Sequence, residues 1–299
     1  MSTGLIVALV LAVGIGLSLG LLGGGGTILA VPLLTYVAGM SPQEAIASSM
    51  FIIGVTALIS VGAHARRGNV HWRTGLIFAV ASMVGAFGGG ALGSQLPGVV
   101  LMVAFSIMML VTALAMVVDR RTPSAAKKEK PPILKIAAEG LVVGLVTGMV
   151  GAGGGFLVVP TLVLLGGLAM PAAVGTSLLI IALKSFSGMA GYLTSVSIDW
   201  TPVLMITAVT VVGAVAGSAL SKHVPEQALK TAFGYFVLGM GVVVLIQELP
   251  MIYGVSTAAC IVVLLMGLRL RRRRRISSSA DGDETDQLSK IAAAARRNL

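Results

Sequence analysis

Apolar residues run along this chain in stretches of membrane length, not in the short alternating or amphipathic patterns of a soluble fold. Residues 75–93, 99–118, 203–220 and 229–246 are nearly free of charge. Each approaches the ~20 residues that carry an α-helix across a hydrocarbon core. The pattern predicts an all-α integral membrane protein.

The apolar pattern also repeats. A gapless shift of 128 residues overlays the glycine-rich stretch 23–32 (GGGGTILAVP) on 151–160 (GAGGGFLVVP). The same register pairs Ala45 with Ala173, Ser49 with Ser177, Gly85 with Gly213, Gly89 with Gly217 and Pro97 with Pro225. It also pairs the two tryptophans of the chain, Trp72 and Trp200. Low-complexity apolar sequence matches some glycines by chance, but not the Trp pair and both prolines in one frame.

Each copy therefore reads as a glycine-interrupted apolar segment (4–38 and 136–167) followed by three spans. These are 44–63, 73–94 and 98–118 in the first copy, and 171–190, 201–221 and 226–246 in the second. Repeat 1 then occupies 1–118 and repeat 2 occupies 136–246. They are joined by a Pro- and Lys-containing linker, 119–135, placed on the cytoplasmic side. An extra transmembrane helix is expected at 252–268. The charged tail 269–299 is expected to be largely disordered and cytoplasmic. The apolar start has no basic leader and returns in the second copy, so it is read as structure and not as a cleaved signal.

The first segment of each copy is too long for one crossing, about 50 Å as continuous helix. Its glycines are a poor helix interior. It is therefore either one broken span or a helical hairpin that returns to its own side. Loop charge decides between them. With hairpins, Arg66, Arg67, Arg73, Lys127, Lys128, Lys130, Lys222 and the 269–275 arginine cluster share one side, opposite Asp199 and Glu248. A hairpin plus three spans crosses an odd number of times, so the two tandem repeats are expected to be inverted. That is the pattern of secondary transporters with a midplane site.

Composition agrees with a bilayer protein: 56% hydrophobic residues, 11% charged residues and a mean hydropathy of +0.99. The formal charge of +10 lies in loops and tail, not along an aromatic-lined groove, so no nucleic-acid partner is expected. The single cysteine, Cys260, excludes an intrachain disulfide and any multi-Cys metal site. No HExxH motif, P-loop or paired intramembrane carboxylates occur, so no metal, cofactor or enzyme activity is expected. The partners implied are the bilayer and a small anion, with self-association into a homo-oligomer left open.

Candidate chemistry gathers at the breaks. A half-helix opening at Gly25, Gly26 and Thr27, and another at Gly153, Gly154 and Gly155, would present free backbone N–H groups and a positive dipole end to an anion. Glycines of this kind also let membrane helices pack closely. Ser48 and Ser49, matched by Thr176 and Ser177, either complete an oxyanion shell or bond back to their own helices. Lys184 lies mid-span in IIALKSFSG, where an ammonium is costly and usually functional, unless it snorkels to an interface. Its partner position is the uncharged Thr56. Glu44, His64 and Glu139 read as boundary residues at span ends. An anion channel, a membrane scaffold without transport and an intramembrane enzyme are the competing classes. Neither a charged ring nor a carbonyl filter is visible to favour a channel.

The doubled motif GLLGGGGTILAVP and GMVGAGGGFLVVP, with AIASS and AVGTS, GNVHW and VSIDW, and IALKSFSGMAGYL, resembles the TauE/SafE sulfite exporter family over residues 4–246. The resemblance implies a multi-pass transporter in the cell (cytoplasmic) membrane. It also implies a substrate among sulfite, sulfonates and related organic anions. The ninth apolar segment and the tail depart from the family's core pattern.

Overall fold

The computed structural model describes residues 3–22, 25–118, 133–151, 153, 155–164, 168, 170–220 and 226–248. The expected helix 252–268, the tail, most of the linker, Lys222, Gly23, Gly24, Ala152 and Gly154 lie outside the described residues. Every regular element among the described residues is helical. In chain order these are α1 (Thr3–Leu22), a 3-10 turn (Gly25–Leu29), the short α2 (Ala30–Pro32), a π turn (Leu33–Val37), α3 (Pro42–Arg66), α4 (Trp72–Gly93) and α5 (Gly98–Val118). The second copy gives α6 (Ile133–Val150), α7 (Gly155–Leu164), α8 (Met170–Tyr192), α9 (Trp200–Leu220) and α10 (Glu226–Glu248).

Four helices, Pro42–Arg66, Trp72–Gly93, Pro171–Tyr192 and Trp200–Leu220, are long and apolar enough to cross a membrane. Shorter apolar helical stretches lie at Leu5–Leu21, Gly26–Val37, Gly98–Val111, Ile136–Val150 and Val237–Glu248. The helix ends follow local chemistry. Ser41 caps α3 by accepting the Glu44 N–H at 3.4 Å, and Pro42 occupies the first helical position, where its missing N–H costs nothing.

The helices pair across the duplication. The first helix of each copy lies on the fourth-position helix of the other: α1 on α9, and α6 on α4. These are glycine contacts at matched positions. Gly16 and Gly20 face the α9 backbone at Thr210, Ala214 and Ser218, while Gly144 and Gly148 face the α4 backbone at Ser82 and Ala86. In return, Gly85 and Gly89 approach Leu141 and Leu145 of α6, and Gly213 and Gly217 approach Val13 and Leu17 of α1. Lipid offers no hydrophobic drive between helices, so close backbone contact of this kind supplies the van der Waals attraction that holds them together.

The third-position helices, α3 and α8, pair with each other in opposite senses. His64 lies against Gly175, Gly54 against Phe186 and Met50 against Gly188, so numbers rise along one as they fall along the other. α5 pairs with α10. Acidic residues gather where α3 begins. Glu44 Oε1 accepts the Asp199 N–H at 3.2 Å, Gln43 Nε2 donates to the Leu96 carbonyl at 3.1 Å, and Tyr36 Oη donates to Glu248 Oε1 at 2.9 Å. Arg66, Arg67 and Arg73 lie exposed where α3 ends, beside the N-terminal part of α8, whose Thr176 Oγ1 accepts the His71 N–H at 3.0 Å.

The first glycine segment also opens a helical stretch near Thr27, Gly26–Val37, but an irregular one. It runs through the 3-10 turn, three α residues and the π turn, and Gly26 packs back on Ile15 and Leu19 of α1. The second break matches the expected position, with α7 starting at Gly155.

Candidate functional site

Lys184 is the ionisable side chain buried at mid-helix, only 2% exposed, and it does not snorkel. It sits fifteen residues into α8, between α6 and α4. Its ammonium donates to Thr147 Oγ1 at 2.7 Å, and Thr147 in turn donates to the Val143 carbonyl at 2.7 Å. Among the described residues, that hydroxyl is its one hydrogen-bond partner. The nearest acidic residue along α6, Glu139, precedes Thr147 by two turns, about 12 Å along the axis. A buried ammonium whose one acceptor among the described residues is neutral is therefore unbalanced in charge there, at a cost of about 2.5–3.5 kcal/mol at a membrane centre.

A cavity of about 10 Å³ adjoins it, room for one water-sized body. Thr147 and Gly148 of α6, Ala86 of α4, Met50 of α3, Gly153, Lys184 and Ser185 line it. Ser185 is 2% exposed, and its hydroxyl finds no partner among the described residues. Met50 brings its thioether against Gly188. The lining is thus one cation, one unused hydroxyl, small residues and a pliable methionine, which is a set suited to an oxyanion with an apolar part.

The two glycine breaks meet beside this cavity. Gly153 adopts φ +56°, and a Cβ there would come within 2.9 Å of the Thr27 Cβ, so only glycine fits without strain. Gly151 adopts φ +76°, and its carbonyl accepts from Ser49 Oγ at 3.1 Å, a hydroxyl that also reaches the Ile46 carbonyl at 2.7 Å.

The structure therefore brings Lys184, Gly153 and Thr27 together, with Ser49 braced against the second break and Gly26 and Gly155 flanking. It keeps two of the expected hydroxyls elsewhere. Thr176 is committed to His71 at the arginine end, and Ser177 Oγ bonds back to Val174 O at 2.8 Å. Ser48 is buried without a partner among the described residues. Gly25 lies in the 3-10 turn, and Gly154 is outside the described residues. Thr147, Ser185 and Met50 line the candidate site, and the sequence does not single them out. The one signal available is Ser185's adjacency to Lys184. No group of three or more His, Cys, Asp or Glu able to hold a metal ion occurs among the described residues.

A helical bundle with intramembrane glycine breaks and a buried cation beside them defines the class of multi-pass membrane transporters. The family described as sulfite exporter TauE/SafE matches residues 8–244, and the chain belongs to that family. A probable membrane transporter protein of Xylella fastidiosa (strain 9a5c) is 34% identical over 245 residues, covering 77% of this chain and 91% of the relative. The probable membrane transporter protein YdhB of Bacillus subtilis (strain 168) is 25% identical over 222 residues, covering 73% and 91%. MJ0441 of Methanocaldococcus jannaschii, likewise described as a probable membrane transporter protein, is 27% identical over 202 residues, covering 64% and 74%. No solved structure matches.

Proposed function

We propose that this chain is a secondary carrier of small anions of the sulfite and sulfonate class. It exchanges Thr147 for the substrate as the partner of Lys184. The observation that carries this reading is the buried, charge-unbalanced ammonium beside a cavity at the meeting of two glycine breaks. The family description, sulfite exporter, supports the substrate class.

In this reading the two repeats, 1–118 and 136–246, are inverted in the membrane, with each glycine segment a re-entrant hairpin. The antiparallel contacts of α3 with α8, the return of Gly26 onto α1 and the separation of Arg66 and Arg67 from Glu44 and Asp199 support it. The cavity is smaller than a tetrahedral oxyanion, so binding requires one helix set to shift against the other. Alternating access is then a rocking of one repeat against its mate. The protein resides in the cell membrane with its basic tail in the cytoplasm.

Flux of sulfite and of an alkanesulfonate into proteoliposomes is the test. The wild-type chain should move at least one of them down an imposed gradient, and Lys184→Gln should lower that flux at least tenfold. Equal flux in the variant would remove Lys184 from the site.

A further inference from the structure

The duplication supplies an internal control for the cavity. Shifted by 128 residues, Lys184 becomes Thr56, Ser185 becomes Ala57, Thr147 becomes Leu19, Met50 becomes Leu178, and Ala86 is matched by Ala214. Leu19, Ala57, Leu178 and Ala214 are all buried and pack into one apolar cluster. Thr56 Oγ1 is bonded back to the Ile52 carbonyl at 2.6 Å. Among the described residues, the mate position is therefore apolar and packed, with neither a charge nor a free hydroxyl. Apart from Lys184, the buried basic side chain among the described residues is His64. It lies against Gly175, nine residues from Lys184, about 13 Å along α8.

Resting on the transport reading above, we infer that the chain holds one anion at a time and selects it by charge. The substrate is a singly charged oxyanion, bound off the pseudo-symmetry axis. One ammonium neutralises one negative charge. A dianion would carry an uncompensated charge into a site whose other walls, Met50, Ala86, Thr147, Gly148, Gly153 and Ser185, are all uncharged, and burying an unpaired charge is strongly unfavourable. The Ser185 hydroxyl supplies a neutral donor to a second oxygen and adds no charge. The small and thioether walls suit an alkyl substituent or an unionised oxygen on the remaining face of the anion.

Methanesulfonate and sulfate make the test, because they are close in size and differ by one charge. The purified full-length protein is titrated with each at constant ionic strength, reading the thermal unfolding midpoint and the calorimetric stoichiometry. Methanesulfonate should bind about once per chain, with sulfate at least tenfold weaker, and Lys184→Gln should abolish the methanesulfonate response. The variant's own melt without anion reports whether it folds. Sulfate binding as tightly as methanesulfonate and still lost in Lys184→Gln, or two equal sites per chain, would overturn the charge selection and leave the carrier reading standing. Binding of neither anion, or binding indifferent to Lys184→Gln, would overturn both.

Discussion

The Lys184 ammonium donates to the Thr147 hydroxyl at 2.7 Å, tying the middle of α8 to the C-terminal half of α6 in a region otherwise built from small and apolar side chains. A bond of this kind holds a charge without neutralising it. Replacing Lys184 by Met keeps most of the length of the side chain and removes the charge. Lys184→Met should therefore be more stable than the wild type, by up to about 2.5–3.5 kcal/mol, the cost of a single lysine at the centre of a membrane helix. It should also be inactive in flux. A melting midpoint in detergent checks the first part, and a variant melting well below the wild type would contradict it.

The glycine seams give a second prediction with a built-in comparison. A Cβ at Gly148 would collide with the α4 backbone at Ala86, whereas a Cβ at Gly62 of α3 meets nothing within 4 Å. Gly148→Ala should lose about 1–3 kcal/mol through overpacking. Gly62→Ala should gain about 0.5–1 kcal/mol from helix propensity. Thermal unfolding of the two variants side by side should show shifts of opposite sign.

The break itself can be probed at Gly153. Alanine there would hold a left-handed backbone at a cost of about 1–2 kcal/mol and press on Thr27. Gly153→Ala should lower flux at least tenfold while keeping most of its stability. A fully active Gly153→Ala would separate the break from the transport cycle.

Orientation is open to labelling in a Cys260→Ser background. Arg67→Cys lies at the end of α3, and Ser195→Cys lies beside the loop held to the start of α3 through Glu44 and Asp199. A membrane-impermeant maleimide should reach them from opposite faces of the membrane. Labelling from one face would contradict the inverted reading.

The helical, duplicated architecture is legible in the sequence because the residues that carry it are rare or costly in a membrane helix. Two tryptophans, paired prolines and paired glycines survive in one register, and Lys184 interrupts an apolar run. The helix ends at Gly93, Gly98 and Trp200 fall within a residue or two of the apolar boundaries. Thr147, Ser185 and Met50 are not legible, since each is an ordinary residue of a membrane helix. Only the pairing of α6, α4 and α3 around α8 brings them to one cavity. The irregular path of residues 25–37 is hidden for a related reason. Glycine permits many backbone conformations, and the packing of Gly26 on Ile15 and Leu19, from the preceding helix, accompanies the one adopted.

The reciprocal seams of α1 with α9 and of α6 with α4 also bear on how the chain is made. The smooth face of α1 at Gly16 and Gly20 has its partner in a helix that begins about 180 residues later, at Trp200. At ~5–20 residues per second of synthesis that is a wait of about 10–40 s. During that interval the nascent first half has lipid, or an insertion chaperone, in place of its mate. Synthesis of the second half is then what first lets the α1–α9 seam close. Truncations anywhere before α9 should be cleared by membrane proteases and should not accumulate as stable halves.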